Sequence, residues 1–143
     1  MIGVIFSAVA GAAMSVQGVM NTRLGERIGT MEANAIVQCT AAGLSLFALL
    51  FYRTGSFAAL GDTPILYRFG GVLGLVITVT VMLGIRNLTP TVAISVILVS
   101  QLLVAALIDA FGLMGTEKAP FGWTKYAGLA LMIGGVLLFQ RQK

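Results

Sequence analysis

Few residues in this chain are equipped for chemistry, and they are amides, hydroxyls and a single inward acid set among long apolar runs. Gln17 and Asn21 are four residues apart, and so are Asn34 and Gln38. That spacing places each pair on one helix face. An amide offers donors and acceptors together, so two such pairs near one membrane face can form a polar cluster at the mouth of a solute cavity. The competing reading is interhelical glue worth about 1 kcal/mol per contact. Spacing alone leaves both open.

Gln101, with Ser100 beside it and Ser95 earlier in the run, lies in the apolar stretch 91–111. About ten residues into a helix is roughly 15 Å of depth, near the bilayer midplane. When two copies pair about an axis in the membrane plane, only residues near mid-depth meet their own mates. Two Gln101 amides then face one central cavity, with Gln17, Gln38 and Asp109 at its mouths. Neutral amides suit a polar, neutral or zwitterionic solute better than a lipophilic cation, which calls for a buried carboxylate or an aromatic cage. The structural alternative is that Gln101 staples two helices, and that Ser95 and Ser100 bond back to their own backbone.

Asp109 lies near the C-terminal end of the same run, where the helix dipole disfavours negative charge. Its expected role is coupling by proton exchange, unless Lys118 or Lys125 on the same face pairs with it. Glu32 is different. It falls in the first turn of a segment, where a carboxylate complements the dipole and helps capping.

Several chemistries are excluded by composition. There is no histidine, and Cys39 is alone among apolar neighbours. A zinc site, a Cys/His nucleophile pair, a haem attachment or a disulfide framework therefore cannot be built from one chain. Cys39 reads as packing. No cofactor is expected and an enzyme is the least supported class. The net charge of +4 is spread over segment ends without a dense basic run, which argues against nucleic acid as a partner.

The elements that must position these groups are membrane helices. Of 143 residues, 58% are hydrophobic and only 10% charged, against about 25% charged in soluble domains. The apolar runs predict an all-α integral membrane protein, a single domain over 1–143 with five transmembrane helices at about 2–20, 32–52, 66–85, 91–111 and 121–139. Residues 21–27 are polar and are expected to leave the bilayer. No basic residue precedes the first run, which favours a membrane helix over a cleaved signal peptide. Pro64, Pro90 and Pro120 each fall where a helix is expected to start, a position at which the missing N–H is unpaired anyway. Gly3, Ser7, Gly11 and Ser15 form one small-residue stripe, and Gly70, Gly74 and Thr78 another, both read as close helix packing. Tyr52, Tyr67, Trp123 and Tyr126 fall at helix ends on one face, as an interfacial belt does.

Five crossings put the termini on opposite sides. The N-terminal face then carries Arg53, Arg68, Lys118 and Lys125, and the other carries Arg23, Arg27, Arg86, Arg141 and Lys143. Four against five sets almost no orientation by the positive-inside rule. Both orientations are expected in one membrane, so two copies can pair as an antiparallel homodimer and build an inverted repeat from one sequence. A parallel dimer or a heteromer is the alternative.

Two stretches carry a family likeness: Gln17-Gly18-Val19-Met20-Asn21-Thr22-Arg23-Leu24-Gly25, with its Gln-Gly-x-x-Asn pattern, and 100–115, with Asp109-Ala110-Phe111-Gly112-Leu113 as an Asp-x-Phe-Gly-Leu pattern. With the length and the helix count, the chain resembles the YdcZ branch of the drug/metabolite transporter superfamily over essentially its whole extent. The resemblance implies a half-size transporter whose members occur singly, paired or fused, often with dual topology, and whose substrates are poorly defined. The small multidrug resistance proteins are a more distant likeness. They carry a glutamate in the middle of the first helix, whereas the segment 2–20 holds no acid.

The resulting expectation is a multi-pass protein of the cell inner membrane whose partners are the lipid bilayer, a small solute and a second copy. Its expected function is a secondary transporter of a small polar solute or metabolite, working by alternating access in an inverted-repeat dimer. A dual-topology ion channel and a non-transporting membrane assembly subunit are the alternatives. A channel needs rings of carbonyls or charges along a wet path, and the chain offers only scattered amides.

Overall fold

A computed structural model describes residues 1–119 and 122–141. Every regular element among them is helical: α1 (Ile2–Ile28), α2 (Thr30–Leu49), the single turn α3 (Ile65–Arg68), α4 (Gly70–Asn87), α5 (Pro90–Phe111) and α6 (Trp123–Gln140). Tight 3-10 turns occupy Phe57–Asp62 and Leu113–Gly115. The contacts divide the chain into two compact units, Met1–Asn87 and Leu88–Lys143.

Helices α1, α2, α4 and α5 are each long and apolar enough to cross a membrane. Helix α6 is 18 residues long and must count Trp123, Thr124, Lys125 and Gln140 in its length, which dilutes its apolar stretch. Large apolar side chains cover the outside of all these helices, Phe6, Leu46, Leu73, Val104 and Leu131 among them. The buried hydrophobic set among the described residues is correspondingly small: Ala33, Met82, Ile85, Val92 and Ala93. This inversion follows from the solvent. Hydrocarbon gives no hydrophobic drive between helices, so close contact comes from small residues and polar pairs.

In the first unit, α1, α2 and α4 pack on one another. The polar stretch 21–27, expected to leave the bilayer after a first helix over about 2–20, continues α1 to 27 residues, about 40 Å by helical rise. Tertiary packing explains the extension. Gly18, Asn21, Thr22 and Gly25 form the buried stripe of α1, and the Thr22 hydroxyl donates to the Gly18 carbonyl at 2.7 Å. Arg23 and Glu26 add an exposed ion pair at 3.0 Å one turn apart. A Cβ on Gly18 would lie 2.9 Å from Ile85 Cδ1, and one on Gly25 would lie 3.4 Å from Met82 Sδ. The close small-residue contact therefore runs over Gly18 and Gly25. At Gly3 and Gly11 an added Cβ would meet nothing within 4 Å, so that stripe is open in the single chain.

Gly29 alone separates α1 from α2, with φ 104, a left-handed conformation that glycine adopts without strain. The Glu32 carboxylate lies over Gly29, where a Cβ would collide with it, and no side-chain hydrogen bond caps α2. The third expected segment is broken at Phe69 into α3 and α4. Arg68 secures the turn before the break by donating to the carbonyls of Thr63 at 2.8 Å and Gly61 at 3.1 Å.

In the second unit, α5 packs on α6. Thr89 caps α5 by accepting from the Val92 N–H at 3.4 Å, and Pro90 occupies the first helical position, as its sequence context predicts. Pro64 likewise immediately precedes α3. Gly112 ends α5 in the left-handed conformation, φ 64, and the loop then folds back so that the Ala119 N–H donates to the Asp109 carbonyl at 3.0 Å. Trp123 and Tyr126 stack edge to face at the start of α6, with centroids 5.9 Å apart. The expected start of the last helix at Phe121, with Pro120, and the basic Lys143 lie outside the described residues.

Candidate functional site

The four amides of the first unit divide into different environments. Gln38, half-buried on α2, donates from Nε2 to the Thr78 hydroxyl of α4 at 3.5 Å, and Thr78 in turn donates to the Gly74 carbonyl at 2.9 Å. A Cβ at Gly74 would lie 3.6 Å from the same Nε2, an ordinary contact distance. Asn34, one turn nearer Gly29, is buried, and its Oδ1 has no hydrogen-bond partner. An orphaned buried acceptor is unfavourable by about 1–3 kcal/mol unless a donor reaches it.

On α1, Asn21 is buried and Gln17 exposed, and both line a groove of ≈ 550 Å³ walled by Val9, Ala12, Val16 and Met20. Gln17 and Asn21, one turn apart, thus lie along the same open groove of α1. With α1 extending to Ile28, Gln17 sits in its middle portion rather than near its end. Among the described residues no hydrogen bond joins the Gln17 and Asn21 pair to Asn34 and Gln38. Sequence reasoning did not connect Thr78 with Gln38. The signal present was Thr78 one turn beyond Gly74, a small gap followed by a hydroxyl.

In the second unit, Gln101 and Ser100 sit in the middle turns of the 22-residue α5, and both are exposed. The Ser95 hydroxyl donates to the Thr91 carbonyl at 2.7 Å, the local bond expected of a serine in a helix. Half-buried Asp109 lines a cavity of ≈ 430 Å³ formed by α5 and α6, and Lys125 lines it too. Lys118 lies over Gly112, at the end of α5. Cys39 is exposed on α2, and no cluster of metal-binding side chains occurs among the described residues.

The arrangement is one of sparse polar groups on apolar helices: an amide staple, a largely apolar groove holding two amides, an exposed mid-helix amide and one cavity lined by an acid and a base. Among the described residues no nucleophile is held against a base. No curated protein and no solved structure matches the chain. The family described as "Putative inner membrane exporter, YdcZ" matches residues 2–138, so the chain belongs to that family and is a multi-pass transporter of the inner membrane.

Proposed function

We propose that the protein is a secondary transporter of a small polar solute, working by alternating access between two copies paired antiparallel in the membrane. Helix α6, Trp123–Gln140, is the fifth crossing in this reading. The observation that carries the proposal is the exposure of Gln101 and Ser100 in the middle turns of α5. A primary amide facing hydrocarbon is costly, so another surface must cover it. A second copy related by an axis in the membrane plane brings the same amide to the same depth and satisfies both. The near balance of Lys and Arg between the two faces supports insertion in both orientations. In this reading Asn21 and Asn34 belong to the mouth, Gln17 lies deeper along the path, Gln38 holds α2 to α4 beside it, and Asp109 is the coupling acid.

The test is solute flux through the purified protein in liposomes, together with labelling of a cysteine engineered into the loop 53–64 after Cys39 is replaced. Saturable exchange with label reaching that loop from both sides is the expected result. Large unitary conductance would make it a channel, and labelling from one side only would overturn antiparallel pairing.

A further inference from the structure

The groove of ≈ 550 Å³ on α1 runs from Val9 to Asn21, about 18 Å by helical rise. Val9, Val16 and Met20 make its wall largely apolar, Ala12 leaves width along it, and no ionisable side chain among the described residues lines it. The volume falls within the roughly 300–1,000 Å³ of ordinary small-ligand sites. Shape and small side chains alone select no ligand. Asn21 does: it lines the groove, it is only 8% exposed, and among the described residues its amide has no hydrogen-bond partner. A buried amide without a partner is unfavourable, and an apolar side chain of similar bulk in its place is not. Packing of α1 therefore gives no reason for an amide at this position.

A carboxamide holds a donor and an acceptor side by side in one plane. A ligand that answers both presents an acceptor and a donor along one edge and forms two parallel hydrogen bonds, as an asparagine does on the edge of a base. A lone ketone answers only the donor, and a hydrocarbon answers neither. A charged ligand would enter an apolar groove with no countercharge among the described lining residues, which is strongly unfavourable. We propose that the α1 groove binds a neutral solute with an amide or lactam edge on an aliphatic body. The edge pairs with Asn21, the body lies along Val16, Ala12 and Val9, and Gln17, one turn before Asn21, offers a second amide beside it. This names the solute class for the transport reading and rests on that reading only for movement across the membrane.

The test measures equilibrium binding to the full chain in detergent of cyclo(Leu-Leu), which is neutral and carries lactam edges. Beside it stand its N,N′-dimethyl derivative, which keeps the carbonyls and lacks the N–H groups, and linear dileucine, a zwitterion. Cyclo(Leu-Leu) should bind, and each of the other two should bind about tenfold or more weakly, the worth of one hydrogen bond to a buried amide. Asn21→Leu should weaken cyclo(Leu-Leu) by a similar factor while leaving thermal stability at or above that of the unaltered chain, a combination that an amide kept for packing does not give. Ala12→Leu, a good helix former at an exposed position, should fill the groove and abolish binding with the fold intact. Equal binding of the dimethyl derivative, undiminished binding by a folded Ala12→Leu variant, or a loss of stability in Asn21→Leu would overturn the site. So would displacement of cyclo(Leu-Leu) by phosphatidylcholine, which would make the occupant an acyl chain, or loss of the crosslinked dimer in Ala12→Leu, which would make it the second copy. Binding of cyclo(Leu-Leu) without its flux in liposomes would count against the transport reading and leave the site standing.

Discussion

Gln38 on α2 reaches across to α4 and donates to the Thr78 hydroxyl, which is itself held by the Gly74 carbonyl one turn earlier. This ties Gln38 to helix packing. Gln38→Leu or Thr78→Val should lower stability by about 1 kcal/mol, the usual worth of an interhelical polar contact in a membrane. The double variant should cost no more than the larger single one. Thermal unfolding in detergent reads this, and additive losses would show that the two side chains act separately.

Gly18 and Gly11 should respond oppositely to enlargement. Gly18→Val presses on Ile85 and Val81 and should destabilise by about 1–3 kcal/mol, the range for overpacking. Gly11→Ala meets open space and should leave the single chain at least as stable, since alanine is the better helix former. A loss of dimer in crosslinking caused by Gly11→Ala, with the fold intact, would place that face against the second copy.

Asp109→Asn keeps the shape of the side chain and removes its charge. If Asp109 is the coupling acid, proton-driven accumulation in liposomes should disappear while expression and dimerisation remain. Accumulation at the unaltered rate would return Asp109 to a structural role.

Gln101→Leu removes the exposed amide from the middle of α5. A dimer that persists in crosslinking with solute flux reduced tenfold or more is the expected result. Full flux from that dimer would eliminate the central amide pair, and loss of the dimer together with flux would make Gln101 a staple between copies.

Membrane character was legible in the residues because hydropathy is a local, additive property: runs such as 91–111 need no partner to declare themselves. The Thr89-Pro90 start of α5 was legible for the same reason, since capping is settled within one turn. The length of α1 was not. Residues 21–27 read as a polar stretch beyond the first span, and they continue the helix, with Asn21, Thr22 and Gly25 buried where α1 meets α2 and α4. Gln17 and Asn21, four residues apart, line one groove, whereas Gln38 bonds Thr78, 40 residues away, a contact that spacing does not reveal. Nor did it show that Asp109 and Lys125 share a cavity. Periodicity reports which residues share a face of one helix. Which face meets which neighbour is decided by side-chain shape between distant segments, and that exists only once the helices have packed.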